Sequence, residues 1–218
     1  PKTIKESFHF FIKGCLFFLR LRGIVIFAGY PYPERERDGY YQRVRSVDNL
    51  FLDRWRVYID LVNLSGRKSW YDFPAPKTLV LRPQIKGNRF LARMSSILCI
   101  IRCKTSYIHS ILSVGGVGRN LLFWYLPFKK RILDMHGVVP EEFEYTGEKR
   151  LAIHFQRIER RIISRVHYVI VVSNALRTHV EKKYPGLFKG QFIILPIFQE
   201  QKVERSAKPD GKRKINLI

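Results

Sequence analysis

VHYVIVV, Val166–Val172, followed at once by Ser173-Asn174, is the stretch on which the reading of the fold turns. The run is continuous and apolar, which suits a strand buried on both faces. Ser173 is a natural N-cap for the helix that starts after it. That short helix runs from Asn174 to Tyr184 and is stopped by Pro185 and Gly186. Strand, cap, helix and stop within some twenty residues make one βα unit of a parallel sheet.

Working outward, the same unit recurs. Gly23–Ala28 (GIVIFA), Arg56–Val62, Thr78–Leu81 (stopped by Pro83), Thr105–Ile108, Lys130–Met135 and Gln191–Leu195 all read as strands. Helices are expected at Tyr40–Leu52, with Val44, Val47, Leu50 and Phe51 on one face, and at Phe90–Ile101. A single long helix is expected over Glu141–Ser164, with Leu151, Phe155, Ile158 and Ile162 turned to the sheet. The alternation predicts an α/β, Rossmann-like domain over 23–198: a parallel sheet of about seven strands with helices on both faces. Residues 199–212 are polar and read as a linker. Residues 213–218 (RKINLI) read as the first strand of a further domain. A chain that opens on Pro1 and stops there is expected to be a fragment or a processed product.

In open parallel sheets ligands bind beyond the carboxyl ends of the strands. That rule gathers Gly29 and Tyr30, His109 and Ser110, His136 and Gly137, and Ser173 and Asn174 on one rim. Simpler roles stand beside a functional one. Gly29 and Gly137 suit tight turns, Ser173 suits a cap, and His109 suits a hydrogen-bonded loop. His136, between a buried strand and a glycine, is the best placed to enter the crevice. The run Gly115-Gly116-Val117-Gly118 is not a dinucleotide motif, because Leu121 stands where a third glycine is needed.

Composition narrows the partners. The 218 residues carry a formal net charge of +22, and 46% are hydrophobic. Such a chain can bury a core, and its surface seeks polyanions. Zinc-finger spacing and RNP-type aromatic motifs are missing from the sequence, so nucleic acid is not expected. Cys15, Cys99 and Cys103 form no disulfide framework and point to a reducing compartment. Cys99 and Cys103, four apart, read as small buried residues. Phe8–Leu19 is too short to span a bilayer and lacks a signal-peptide cleavage pattern. Two readings of it stand: a basic aromatic helix (within 1–22) lying in a membrane interface, or a segment packed on the domain.

Several passages together resemble family 4 glycosyltransferases of the GT-B fold. They are Asp134-Met135-His136-Gly137-Val138-Val139-Pro140-Glu141-Glu142, Val169–Leu176 and the helix bearing Glu159-Arg160. Asp38-Gly39-Tyr40 with Gln42-Arg43-Val44, and Tyr107-Ile108-His109, complete the set. The resemblance covers about residues 23 to 198. It implies an acceptor-side, amino-terminal half of a retaining hexosyltransferase whose missing half holds the nucleotide-sugar donor. It also implies no metal and no cofactor beyond that nucleotide-sugar co-substrate. His136 would be the catalytic contact to the transferred sugar. Gly29, Tyr30, Asp38, Gly39, His109, Gly137, Ser173 and Asn174 would bind substrate. The acceptor would be a lipid-linked or polysaccharide glycan, met at the cytoplasmic face of an anionic plasma membrane. One departure counts against a standard phosphate contact by the first loop: a single Gly29 precedes Tyr30-Pro31-Tyr32-Pro33. A GT-B nucleotide-sugar 2-epimerase and a basic membrane- or nucleic-acid-binding module are the competing readings.

Overall fold

The computed structural model describes residues 23–35, 38–63, 66–85, 89–115 and 130–196. The expectations for 1–22, the loop 116–118, 199–212 and 213–218 lie outside the described residues.

Eight strands form one sheet: β1 (Gly23–Phe27), β2 (Trp55–Ile59), β3 (Tyr71–Asp72), β4 (Thr78–Leu81), β5 (Thr105–Ile108), β6 (Lys130–Met135), β7 (Tyr168–Val171) and β8 (Gln191–Ile194). Their order is β3-β4-β2-β1-β5-β6-β7-β8. All pairs are parallel except β3–β4. The helices are α1 (Gly39–Asn49), α2 (Arg89–Arg102), α3 (Leu112–Gly115), α4 (Val139–Tyr145), α5 (Lys149–Ile163) and α6 (Asn174–Lys183). The sheet is mixed α/β with helices on both faces, the Rossmann-like arrangement read from the sequence.

Period-two alternation sorts the core into two layers. Ile24, Ile26, Tyr58, Val80 and Tyr107 pack with Val44 and Val47 of α1. Val25, Phe27, Val57, Ile59, Leu79 and Leu81 face the other way, onto Ala92 and Cys99 of α2 and Phe155 and Ile158 of α5. Each such aliphatic side chain contributes roughly 1.5–3 kcal/mol by leaving water. Cys99 and Cys103 are both buried in this layer. Burial raises both thiols, Cys103 to about 12. Gly23 is required by close strand packing: a Cβ there would stand 2.3 Å from the Trp55 carbonyl of β2.

From β1 the chain moves through α1 to β2 and then β4 on one side. Helix α2 then carries it back to β5 on the other side of β1. The reversal places a topological switch point at the carboxyl ends of β1 and β5, the position where open α/β sheets bind ligands.

Three expectations are corrected. The sheet has eight strands, because two-residue β3, too short to leave a periodic signal, adds antiparallel to β4. The long helix over 141–164 is two helices, broken where Gly147 takes φ 81. The chain folds back there, and Phe143 of α4 stacks on Phe155 of α5 at 5.2 Å. Leu50 and Leu151 are exposed rather than turned to the core. Helix α1 ends at Asn49, so Leu50 caps it instead of continuing its apolar face.

Candidate functional site

The alternation that builds the α1-side layer also assembles a polar group at its rim. Tyr107 in β5 and Ile132 in β6 are register partners. Two residues on, His109 and Asp134 lie on the same face, and His136 follows two beyond that. His109 and Asp134 are each 0% exposed. The His136 side chain is 21% exposed and is the member that reaches the surface. The His109 and His136 rings lie 4.6 Å apart, and Tyr40 of α1 meets His109 edge-on at 4.5 Å.

Asp134 is the hub. Arg43 of α1 donates to it from Nε at 3.0 Å and from Nη2 at 3.2 Å. The Tyr107 hydroxyl donates to the same carboxylate. His109 Nδ1 and His136 Nδ1 stand 3.8 and 3.9 Å from its oxygens, beyond direct hydrogen bonding. Burial by itself would raise the Asp134 carboxyl. His136, Arg43 and Tyr107 outweigh that and hold it at about 2. Burial, with His136 next, lowers His109 to about 3, so its ring is neutral at ordinary pH. With Nδ1 of His136 buried toward Asp134, Nε2 is the nitrogen on the outer edge of the ring. At that separation the ionised carboxylate acts on the ring through its charge rather than through a direct hydrogen bond.

His109, Asp134 and His136 have the chemistry of a metal-ligand trio, with ligand atoms within 4.8 Å of one another. Arg43, however, already occupies both carboxylate oxygens. Its guanidinium supplies the positive charge that a cation would bring.

The other predicted positions divide. The Gly29 amide donates to the Tyr40 hydroxyl at 3.3 Å, and that hydroxyl shares a hydrogen bond with Ser113 Oγ at 3.0 Å. The first loop is thereby tied to the histidine pair. Burial raises the Tyr40 hydroxyl to about 12. Asp38 caps α1, accepting from the Tyr40 amide at 2.9 Å. Gly39 opens that helix with free space around its Cα. Tyr30 points to the β2 side, edge-on to Tyr32 and Tyr58 at 4.9 and 5.1 Å. Gly137 leaves room for Glu142, whose Oε1 would lie 2.7 Å from an added Cβ and accepts from the Val138 amide at 3.2 Å. Ser173 accepts from the Leu176 amide at 3.2 Å as the α6 cap, and Asn174 is exposed. Both follow β7, one strand over from His136.

Sequence reasoning passed over Arg43, Tyr107 and Asp134 as functional side chains. A signal existed for Asp134: a carboxylate inside a buried strand must find a cationic or hydrogen-bonding partner. A second polar cluster joins the helices behind the rim. Lys183 of α6 lies 2.6 Å from Glu141 and 3.4 Å from buried Glu159, and His179 is 3.0 Å from Glu141.

No family model matches the sequence, and no curated protein matches it. Among solved structures the chain is similar to sucrose-phosphate synthase from Thermosynechococcus elongatus. The TM-score is 0.50 and the identity 14%, over 81% of this chain and 48% of that one. The chain therefore spans about half the length of the solved protein it matches. The likeness is one of fold, and with the sheet described above it shows a Rossmann-like α/β architecture of the kind that makes up one half of a GT-B fold.

Proposed function

We propose that this chain is the acceptor-side half of a retaining, family 4-like glycosyltransferase. It would act with a donor-binding half to move a hexose from a nucleotide sugar to a lipid-linked or polysaccharide acceptor. The observation that carries the reading is His136: a partly exposed imidazole at the carboxyl-end rim, backed by an ionised, fully buried carboxylate. Nε2 of such a ring can hydrogen-bond a sugar hydroxyl and stabilise charge as the bond to the leaving phosphate loosens. In this reading Gly29, Tyr30, Asp38, Gly39, His109, Gly137, Ser173 and Asn174 would contribute to substrate binding beside it. No cofactor is called for beyond the nucleotide sugar, and nucleic acid is not a partner in this reading.

The enzyme would work at the cytoplasmic face of an anionic membrane. The net charge of +22 and the exposure of Arg150, Arg157, Arg160 and Arg161 on α5 support that part. Among the described residues no helix is long and apolar enough to cross a membrane.

The test is ligand-detected NMR of the chain against a panel of glycan acceptors and nucleotide sugars. Glycan contact that disappears in His136→Ala is expected, with weak or no nucleotide-sugar binding and no turnover. Turnover by this chain alone, or glycan contact that ignores His136, would refute the assignment.

A further inference from the structure

Helix α2 is amphipathic in an inverted sense. The side it lays on the sheet is mostly small and partly polar: Ala92, Ser96 and Cys99 are buried beside Ile100, buried Cys103 follows the last turn, and the Ser96 hydroxyl donates to the Ala92 carbonyl at 2.7 Å. Four of its large apolar side chains face outward. Phe90 is 74% exposed, Ile101 55%, Leu98 47% and Met94 41%. At 100° per residue these fall within an arc of about 80°. Arg93 and Arg102 are exposed on the two flanks of that arc, and exposed Lys104 follows the helix. Not one carboxylate occurs in the sequence between Asp72 and Asp134.

A water-facing helix normally keeps its large apolar residues inward. A row of Phe, Met, Leu and Ile, flanked by arginines with no acidic residue near in sequence, has the chemistry of a helix that lies in an anionic lipid interface. The apolar row enters the acyl boundary while the arginines stay at headgroup level.

We propose that the outer face of α2 is the surface by which this protein seats itself on an anionic membrane. This rests on the membrane part of the function proposed above and assigns its contact to α2 rather than to the arginines of α5. The helix follows β4, so its first turn, with Phe90, starts at the carboxyl-end side of the sheet. Seating by α2 would therefore keep the carboxyl-end rim, where His136 lies, alongside the bilayer surface, within reach of an acceptor whose lipid tail stays in the membrane.

The experiment is sedimentation of the 218-residue chain with vesicles of phosphatidylcholine, alone or mixed with phosphatidylglycerol. Brominated lipid is added to probe depth. Met94→Glu with Leu98→Glu is expected to lower partitioning roughly tenfold or more, since each side chain loses its apolar transfer. Circular dichroism should stay unchanged, because both residues are exposed. Arg93→Glu with Arg102→Glu is expected to remove the preference for anionic vesicles. In Phe90→Trp, brominated lipid should quench emission beyond the wild-type level. Wild-type partitioning that survives Met94→Glu/Leu98→Glu, with no added quenching at position 90, would overturn the α2 assignment while leaving a membrane role to α5. Failure of the wild type to bind any vesicle would overturn both. A dimer dispersed by the Met94/Leu98 pair, with vesicle binding unchanged, would mean that a second copy covers this face and would equally overturn the proposal.

Discussion

Arg43 and Asp134 meet through two hydrogen bonds, 3.0 and 3.2 Å, across the gap between α1 and β6, with almost no exposure to solvent. The pair joins the first helix to the strand that ends at His136. Asp134→Asn should leave the buried guanidinium uncompensated, at a cost of about 3–5 kcal/mol. Arg43→Met should be similarly harmful, because it strands the carboxylate. The double variant Arg43→Met/Asp134→Leu should be less destabilised than the sum of the single changes. Urea unfolding of the four proteins checks this; simple additivity would mean that the pair is not coupled.

His136 should behave differently. It is partly exposed and makes no short hydrogen bond among the described residues. His136→Ala should change stability by less than about 1 kcal/mol. On the function proposed above, the same change in a protein that joins this chain to a donor-binding half should lower kcat by roughly a hundredfold or more, the scale of losing one transition-state hydrogen bond. Steady-state kinetics beside a melting curve separates the two effects. A large loss of stability with unchanged kcat would make His136 structural.

His109 gives a pH signature. Burial lowers its folded-state value to about 3, while an unfolded histidine titrates near 6.5. Between these values the unfolded chain binds a proton that the folded chain refuses. Stability therefore rises with pH through this window and falls as pH drops from about 6.5 toward 3. One such group gives a slope of at most about 1.4 kcal/mol per pH unit. Comparing urea midpoints at pH 7, 6 and 5 for the wild type and His109→Gln should show a flatter dependence in the variant, whatever its absolute stability. Equal slopes would contradict a buried neutral ring.

The strands were legible because each is a short, largely apolar run closed by a polar residue, a glycine or a proline, and seven of the eight announce themselves that way. Tyr71–Asp72 did not, since two residues carry no period. The break at Gly147 was hidden because 141–164 keeps a helical period on both sides of a residue that turns the chain. His109, His136 and Gly29 were placed on one rim by the carboxyl-end rule alone. The buried ion pair behind the histidines was not legible, because Arg43 and Asp134 are 91 residues apart in sequence. In α2 the larger apolar side chains lie on the outer face, so periodicity alone does not show which face the sheet takes.

Two glycines should respond with opposite signs. At Gly23 an added Cβ meets the backbone carbonyl of Trp55, which cannot move aside without disturbing β2. Gly23→Ala should cost about 1–3 kcal/mol. At Gly39, in the first turn of α1, the added atom meets nothing within 4 Å. Gly39→Ala should gain roughly 0.4–1 kcal/mol by restricting the unfolded chain. Thermal or urea midpoints decide, and a stabilised Gly23→Ala would show that β1 and β2 are not packed as described.

The position of β1 in the middle of the sheet also sets a timetable. Ile24 pairs on one side with Arg56 and on the other with Thr105, about 80 residues later in the chain. At a synthesis rate of roughly 5–20 residues per second, one edge of β1 waits about 4–16 s for its partner to be made. During that interval GIVIF is an unpaired, uncharged, β-branched edge in a nascent chain, open to pairing with its neighbours on the polysome. The yield of folded protein in the cell should therefore depend on translation speed across 30–105, and on holdase chaperones that occupy the strand meanwhile.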